Sequence, residues 1–141
     1  MERKATAAWQ GGLKDGKGTL TTDSKVLSNT PYSYGTRFEG SPGTNPEELL
    51  GAAHAGCFTM ALSAQLAEAG IRSERIETKA TITLEKLDSG FAITRSHLDV
   101  SVRAPGAERA RFEQAAEKAK TGCPMSKVLR AEISMDARLV D

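Results

Sequence analysis

The longest apolar pattern in the chain runs from 44 to 70, TNPEELLGAAHAGCFTMALSAQLAEAG. Asn45 can cap a first turn, Pro46 stands where a helix tolerates proline best, and Glu48 completes a capping box. A glycine supplies the stop. Between these signals apolar side chains occupy every angular sector, whereas a surface helix keeps one polar face. The pattern predicts one long helix that is covered on all sides, with Cys57 near its middle.

Alternating apolar and polar positions predict strands on both sides of this helix. The clearest alternation lies at 76–85, and the strand after it changes phase between Thr94 and His97, which a β-bulge would accommodate. The other predicted elements are strands at 5–10 and 18–22, a short strand near 34–39, helices at 107–120 and 124–130, and a strand at 133–139. This order predicts a single α+β domain over 1–141, with antiparallel sheets wrapped around the buried central helix.

Composition narrows the possible partners. The chain has 141 residues, enough to bury a core without a disulfide or a metal, and its net charge is +1 with both signs interspersed. This charge pattern argues against nucleic acid and against a membrane surface. The first residues show no secretory signal, and the apolar run 49–62 is shorter than the roughly 20 residues that span a bilayer. We therefore expect a cytoplasmic protein.

In a reducing compartment, two cysteines 66 positions apart are better explained as reactive or ligating than as permanently bridged. Either could also be an inert buried residue, because free cysteine packs as a small hydrophobe. Cys123 precedes Pro124 in TGCPMS, so it is the expected cap of a short helix, where free amides and the helix dipole lower a thiol pKa. Local reasoning therefore favours Cys123 as the thiolate, and Cys57 would need a cation from elsewhere.

Arg37 is the candidate cation, because it lies in an apolar and aromatic context just before the helix. An arginine packed against a core needs an anionic partner. Glu48 is already used by the capping box, whereas Glu47 is free. Glu47 precedes Cys57 by ten positions, about 15 Å along a helix, so only Arg37 could link the two. An ordinary surface ion pair remains the alternative.

Two further sets of residues have both a functional and a structural explanation. His54 and His97 could join the two cysteines around zinc, although no pair has the short spacing of a zinc motif and packed histidines are commoner. Four apolar residues could line a substrate slot beside the thiols, or could simply belong to the core: Phe38, Phe58, Met60 and Met125.

Three stretches together resemble a known family. PYSYGTRFEG, GTNPEELLGAAHAGCFTMALS and KAKTGCPMSKVLRAEI are similar to the OsmC/Ohr family of osmotically inducible and organic-hydroperoxide-resistance proteins, in particular to its OsmC branch. The resemblance runs from the AAW and KGT of the first hairpin to the final strand. It implies a thiol peroxidase that reduces organic hydroperoxides and is built as an intertwined homodimer.

The resemblance also implies a role for individual residues. Cys57 matches the peroxidatic cysteine and Cys123 the resolving cysteine of the family. Arg37 matches the arginine that activates thiolate and peroxide, and Glu47 the acidic residue that holds this arginine. The implied reaction uses no metal, haem or flavin, and its disulfide is reduced by an external dithiol protein of the lipoyl type. A zinc-binding structural protein and a non-catalytic module for apolar ligands remain the alternatives.

Overall fold

The structure is a computed structural model that describes residues 1–140. The described elements are, in chain order, β1 (Ala5–Gln10), β2 (Lys17–Thr22), β3 (Thr30–Tyr32), α1 (Tyr34–Phe38), α2 (Pro46–Glu68), β4 (Arg75–Leu87), β5 (Gly90–Arg103), α3 (Arg109–Gly122), α4 (Pro124–Val128) and β6 (Glu132–Val140). They confirm the α+β class. The chain divides into two compact units, 1–49 and 50–141, which are described separately. A single domain over 1–141 stays a prediction.

The first unit contains an antiparallel sheet of order β1-β2-β3 and the short helix α1. The strand predicted near 34–39 is wrong, because this stretch is helical and the strand lies earlier, at Thr30–Tyr32. The reason is a capping box. Ser33 Oγ accepts a hydrogen bond from the Thr36 amide, and Thr36 Oγ1 accepts one from the Ser33 amide, so both free donors at the helix start are satisfied.

The second unit is built on a sheet of order β4-β5-β6. β4 and β5 are antiparallel, and their register shifts so that Thr94 has no partner, which confirms the predicted bulge. β6 differs from the antiparallel expectation, because it pairs with β5 in parallel. The cause is the connection: α3 and α4 carry the chain back across the sheet before β6 begins.

The core of the second unit joins α2, α3 and one face of the sheet. Its largest fully buried apolar side chains are Phe58, Leu62, Leu66, Leu98, Val100, Val102 and Phe112. Gly51 brings α2 close to β4, since a Cβ at this glycine would lie 3.4 Å from Ile82 Cγ1. Thr59 Oγ1 donates a hydrogen bond to Thr78 Oγ1 at 2.9 Å on the same side of the helix. α2 is therefore anchored to the sheet along one stripe.

Within the single chain, α2 is not covered on all sides as predicted. The side away from the sheet exposes small and apolar residues, and Met60 is 78% exposed. With 23 residues, α2 is also long and apolar enough to cross a membrane. The length of the apolar run 49–62 therefore does not exclude a membrane-spanning helix, contrary to the expectation from the sequence. Core helices pass the same test, and the stripe from Gly51 to Leu66 packs against protein.

Candidate active site: a thiol pair and an ion pair

The two cysteines meet in the second unit. Cys123 Sγ donates a hydrogen bond to Cys57 Sγ at 2.9 Å, and both are free thiols. Cys57 lies on α2 and is partly exposed, whereas Cys123 is fully buried between α3 and α4. The 66 positions that separate them in sequence are bridged by the sheet and by α3. The structure thus brings together the two residues that any disulfide chemistry would need.

Cys123 is the N-cap residue of α4, as predicted, but its side chain makes no capping hydrogen bond. The amide that helps a thiolate at this helix start instead belongs to Met125, and it donates to the sulfur of Cys57. Burial raises the pKa of the Cys57 thiol above its ordinary value, the hydrogen bond from Cys123 adds to the rise, and the Met125 amide partly offsets it. These contacts together favour the protonated thiol of Cys57 at neutral pH.

Arg37 and Glu47 form their pair within the first unit. Arg37 Nε and Nη2 donate to the same carboxylate oxygen, Glu47 Oε1, at 3.0 and 2.7 Å. The side chain of Arg37 is 38% exposed and that of Glu47 only 11%. The second oxygen, Glu47 Oε2, is buried and has no hydrogen-bond partner among residues 1–140. The pair is therefore more than a loose surface contact, and its carboxylate retains an unused acceptor.

Local structure around the ion pair explains its geometry. The capping box of α1 sets the direction of the turn that carries Arg37. Asn45 then caps α2 through its Oδ1, which accepts from the Glu48 amide at 2.8 Å, and its Nδ2 donates to the Thr36 carbonyl at 3.1 Å. This second bond fastens α1 to the start of α2, so Glu47 on the first turn of α2 faces Arg37.

An apolar cavity of about 260 Å³ lies beside Arg37 in the first unit. Besides Arg37 and Ser33, it is lined by Trp9, Leu13, Tyr32, Tyr34 and Phe38. Of the four residues predicted to line a substrate slot, only Phe38 borders this cavity. Phe58 is fully buried in the core, Met125 packs partly buried against the core, and Met60 is exposed. A slot formed by these four residues stays a prediction.

The proposed zinc set is not assembled. His54 has serine hydroxyls at both ring nitrogens, Ser96 Oγ at 2.6 Å from Nδ1 and Ser126 Oγ at 2.8 Å from Nε2. His97 belongs to the opposite face of the sheet. Across the described chain, the only cluster of three or more potential metal ligands is His97, Asp99 and Asp136, which contains no cysteine. The zinc hypothesis failed because sequence spacing does not show which face of β5 a side chain occupies.

Sequence reasoning missed the Met125 amide, which donates to the Cys57 sulfur, and the two serines that bind His54, Ser96 and Ser126. Ser126 stands three positions after Cys123, at the third residue of a helix that begins with proline, and this spacing was an available signal. Ser96 lies next to the bulge of β5, where the change of phase makes its inward orientation hard to predict. The Met125 amide is a backbone group, which a side-chain search does not consider.

Fold and site together define an α+β protein in which a free thiol on the long helix α2 contacts a second free thiol between α3 and α4. The model of the OsmC-like protein family matches residues 38–138. Peroxiredoxin OsmC of Escherichia coli (strain K12) is 52% identical over 139 residues, covering 99% of this chain and 97% of that protein. The chain therefore belongs to the OsmC family.

Solved structures agree with this assignment. The crystal structure of the organic hydroperoxide resistance protein OhrB of Bacillus subtilis aligns with a TM-score of 0.71 at 26% identity, covering 96% of this chain and 98% of that one. An OsmC-like protein from Mycoplasma pneumoniae aligns with a TM-score of 0.77 at 15% identity, covering 100% and 99%. This second likeness concerns the fold alone.

Proposed function

We propose that this protein is a cysteine-based thiol peroxidase that reduces organic hydroperoxides to alcohols in defence against oxidative and osmotic stress. The observation that carries the proposal is the contact of the two sulfurs, 2.9 Å apart, in a chain from the OsmC family. Its relatives include proteins named peroxiredoxin and organic hydroperoxide resistance protein.

In the proposed reaction, the Cys57 thiolate attacks one peroxide oxygen and the O–O bond breaks. The alkoxide leaves and takes up a proton to become the alcohol, while Cys57 is oxidised to a sulfenic acid. The Cys123 sulfur then attacks the Cys57 sulfur, the S–O bond breaks, and the hydroxyl leaves as water. One hydroperoxide and two thiols thus become one alcohol, one water and one disulfide.

Arg37 supplies the positive charge that this mechanism requires. Burial and the Cys123 hydrogen bond raise the pKa of Cys57, so a thiolate at neutral pH needs a stabilising cation. In the proposed working site the Arg37 guanidinium stabilises the thiolate and the developing charge on the peroxide oxygen, as a preorganised donor. Glu47 holds two of its nitrogens and thereby fixes its direction.

Recycling is assigned to an external dithiol protein, with lipoyl groups as the proposed type. Such a reductant attacks the Cys57–Cys123 disulfide by thiol exchange and leaves both cysteines as thiols. The cycle needs no metal, haem or flavin. It also needs a compartment in which dithiols stay reduced, so we place the protein in the cytoplasm.

The second copy of a homodimer is proposed to cover the exposed side of α2. Ala52, Ala53, Gly56, Met60 and Ala64 lie on this side and present an apolar surface to solvent in the single chain. Replacing Ala64 by arginine should yield a monomer by size-exclusion chromatography with light scattering. Gln114→Arg, on the exposed side of α3, is the control and should leave the assembly unchanged. A wild-type protein that is monomeric at micromolar concentration would overturn this proposal.

The peroxidase proposal is tested by mass spectrometry of the anaerobically reduced protein after one equivalent of cumene hydroperoxide. The expected result is loss of both thiols, a Cys57–Cys123 disulfide and one equivalent of cumyl alcohol. In Cys123→Ser, a dimedone adduct on Cys57 should report the trapped sulfenic acid. Two thiols that remain reduced in the wild-type protein would rule the proposal out.

A further inference from the structure

His54 is a polar residue fully buried within the hydrophobic core of the second unit. It lies on the packed stripe of α2, three positions before Cys57, and has no exposed surface. Its Nδ1 lies 2.6 Å from Ser96 Oγ on β5, and its Nε2 lies 2.8 Å from Ser126 Oγ on α4. A buried imidazole is costly unless both ring nitrogens are satisfied, and here both are. The ring therefore connects the sheet to α4.

A histidine one turn from a reactive cysteine suggests a base or an ion-pair partner for the thiol. The geometry gives His54 a different role, because both nitrogens are already hydrogen-bonded to serines. Burial also lowers the pKa of His54, so the ring is neutral at pH 7, with one donor and one acceptor. A neutral ring held between two hydroxyls is suited to positioning rather than to proton transfer with Cys57.

The contact with Ser126 links His54 to α4. This helix has five residues, and none of them is fully buried; Val128 is 68% exposed. Yet its first turn carries two groups that meet the Cys57 sulfur, the Cys123 thiol at the N-cap and the Met125 amide. Ser126 is the next residue along this turn. Cys123 and Met125 give this segment apolar contacts with the core, and the hydrogen bond between Ser126 and His54 adds a directional polar contact at the same turn.

We infer that His54 is a positioning residue that, through Ser126, keeps the first turn of α4 against α2, so that the Cys123 thiol stays in reach of the Cys57 sulfur for disulfide formation. The inference rests on the proposed function for its biological meaning. The hydrogen bond between Ser96 on β5 and Nδ1 fixes the orientation of the His54 ring. The step that His54 assists is the attack of the Cys123 sulfur on oxidised Cys57, with loss of water.

Ser126→Ala tests the inference, because it removes one hydroxyl from a partly exposed residue and leaves the core filled. In single-turnover experiments with cumene hydroperoxide, we expect disulfide formation to slow about tenfold, the size of effect that one lost hydrogen bond gives. The dimedone-reactive sulfenic acid should accumulate correspondingly, whereas the first consumption of peroxide should change much less. Ser126→Thr keeps a hydroxyl and should restore most of the rate.

The chain offers a matched control in Ser134, whose Oγ lies 2.6 Å from Nδ1 of the other histidine, His97, on the opposite face of the sheet. Ser134→Ala removes a bond of the same kind and should leave disulfide formation unchanged. Thermal unfolding of the variants separates a general loss of stability from a local effect. Equal rates in Ser126→Ala and the wild-type protein, or equal slowing by Ser134→Ala, would overturn the inference.

Oxidation by diamide keeps the test independent of peroxidase activity. Diamide accepts the two thiol hydrogens on its N=N bond and leaves a disulfide, so no peroxide chemistry is involved. Ser126→Ala should again close the Cys57–Cys123 disulfide more slowly than the wild-type protein and Ser134→Ala. A wild-type protein that forms the disulfide with diamide but ignores hydroperoxide would count against the proposed function alone. Equal closure rates with diamide would count against the inference alone.

Discussion

The ion pair of Arg37 and Glu47 and the thiol pair of Cys57 and Cys123 differ in charge, exposure and separation along the chain. The ion pair joins residues 10 positions apart at the border of the solvent, where the guanidinium keeps part of its hydration. The thiol pair joins residues 66 positions apart, and one of its members is fully buried. In each pair one member is buried, Glu47 or Cys123, and its partner, Arg37 or Cys57, keeps part of its surface in solvent.

This difference has a consequence for reactivity. The ion pair has its charges in place before any substrate arrives, and the buried Oε2 of Glu47 leaves one acceptor unused. The thiol pair has the right atoms in contact, but burial opposes the thiolate that the chemistry needs. For the proposed reaction, the thiol pair lacks a cation to stabilise the thiolate, and the ion pair lacks a nucleophile. The proposed function therefore makes the thiol pair depend on the ion pair, and substitutions in each pair should have distinct kinetic signatures.

The largest expected effect comes from removing the attacking sulfur. Cys57→Ser should reduce hydroperoxide consumption to the background of a protein-free solution, because an alcohol does not form the sulfenic acid. Cys123→Ser should still consume one equivalent of peroxide before it stops without disulfide formation. A xylenol orange assay of residual peroxide measures both. If the two variants behaved alike, the assigned roles of the two cysteines would be wrong.

Arg37→Met should lower the rate of Cys57 oxidation at pH 7 by about 10²- to 10³-fold, the usual cost of a lost transition-state donor. The sign of its pH dependence follows from the raised pKa of Cys57. Without the cation, the thiolate fraction is small at neutral pH and grows as the pH rises towards that pKa, so the variant should recover part of its rate in alkaline buffer. Stopped-flow single turnovers measure the rate of Cys57 oxidation across pH 6–10. This range brackets the pKa of an ordinary cysteine thiol, about 8.5.

The control for Arg37→Met is Arg75→Met. Arg75 also pairs with a glutamate, Glu77, at 3.3 Å, but both side chains are largely exposed. This substitution should change neither the rate nor its pH profile, because exposed pairs contribute little. If Arg37→Met lost thermal stability in proportion to its loss of rate, the role of Arg37 would be structural.

Glu47→Gln should have the smallest effect of the three, about a tenfold loss of kcat/KM, because the amide oxygen can still accept from Arg37 while its negative charge is gone. The guanidinium should then be less well oriented, with the thiols unaffected. Steady-state kinetics with cumene hydroperoxide measure the loss. A decrease as large as that of Arg37→Met would mean that Glu47 takes part in the chemistry directly.

The elements that could be predicted from the sequence are those whose signals are local. The helix around Cys57 was predicted at 44–70 and lies at Pro46–Glu68, because its cap and its stop are encoded within a few residues. The bulge near Thr94 was visible as a change of phase. α1 was misjudged as a strand because its aromatic residues outweighed the capping box of Ser33 and Thr36. The parallel pairing of β6 depends on where α3 and α4 return the chain, which periodicity does not encode.

The sequence by itself determined which residues could react: two cysteines, an arginine and its candidate glutamate partner, in motifs specific enough to indicate the family. It also determined that α2 has too few polar positions to remain uncovered. Only the tertiary structure decided that the two sulfurs touch, that the α4 amide serves Cys57 rather than Cys123, and that His54 binds serines rather than a metal. The reason is that these contacts join positions 42 to 72 residues apart, and their geometry is set by packing across the sheet.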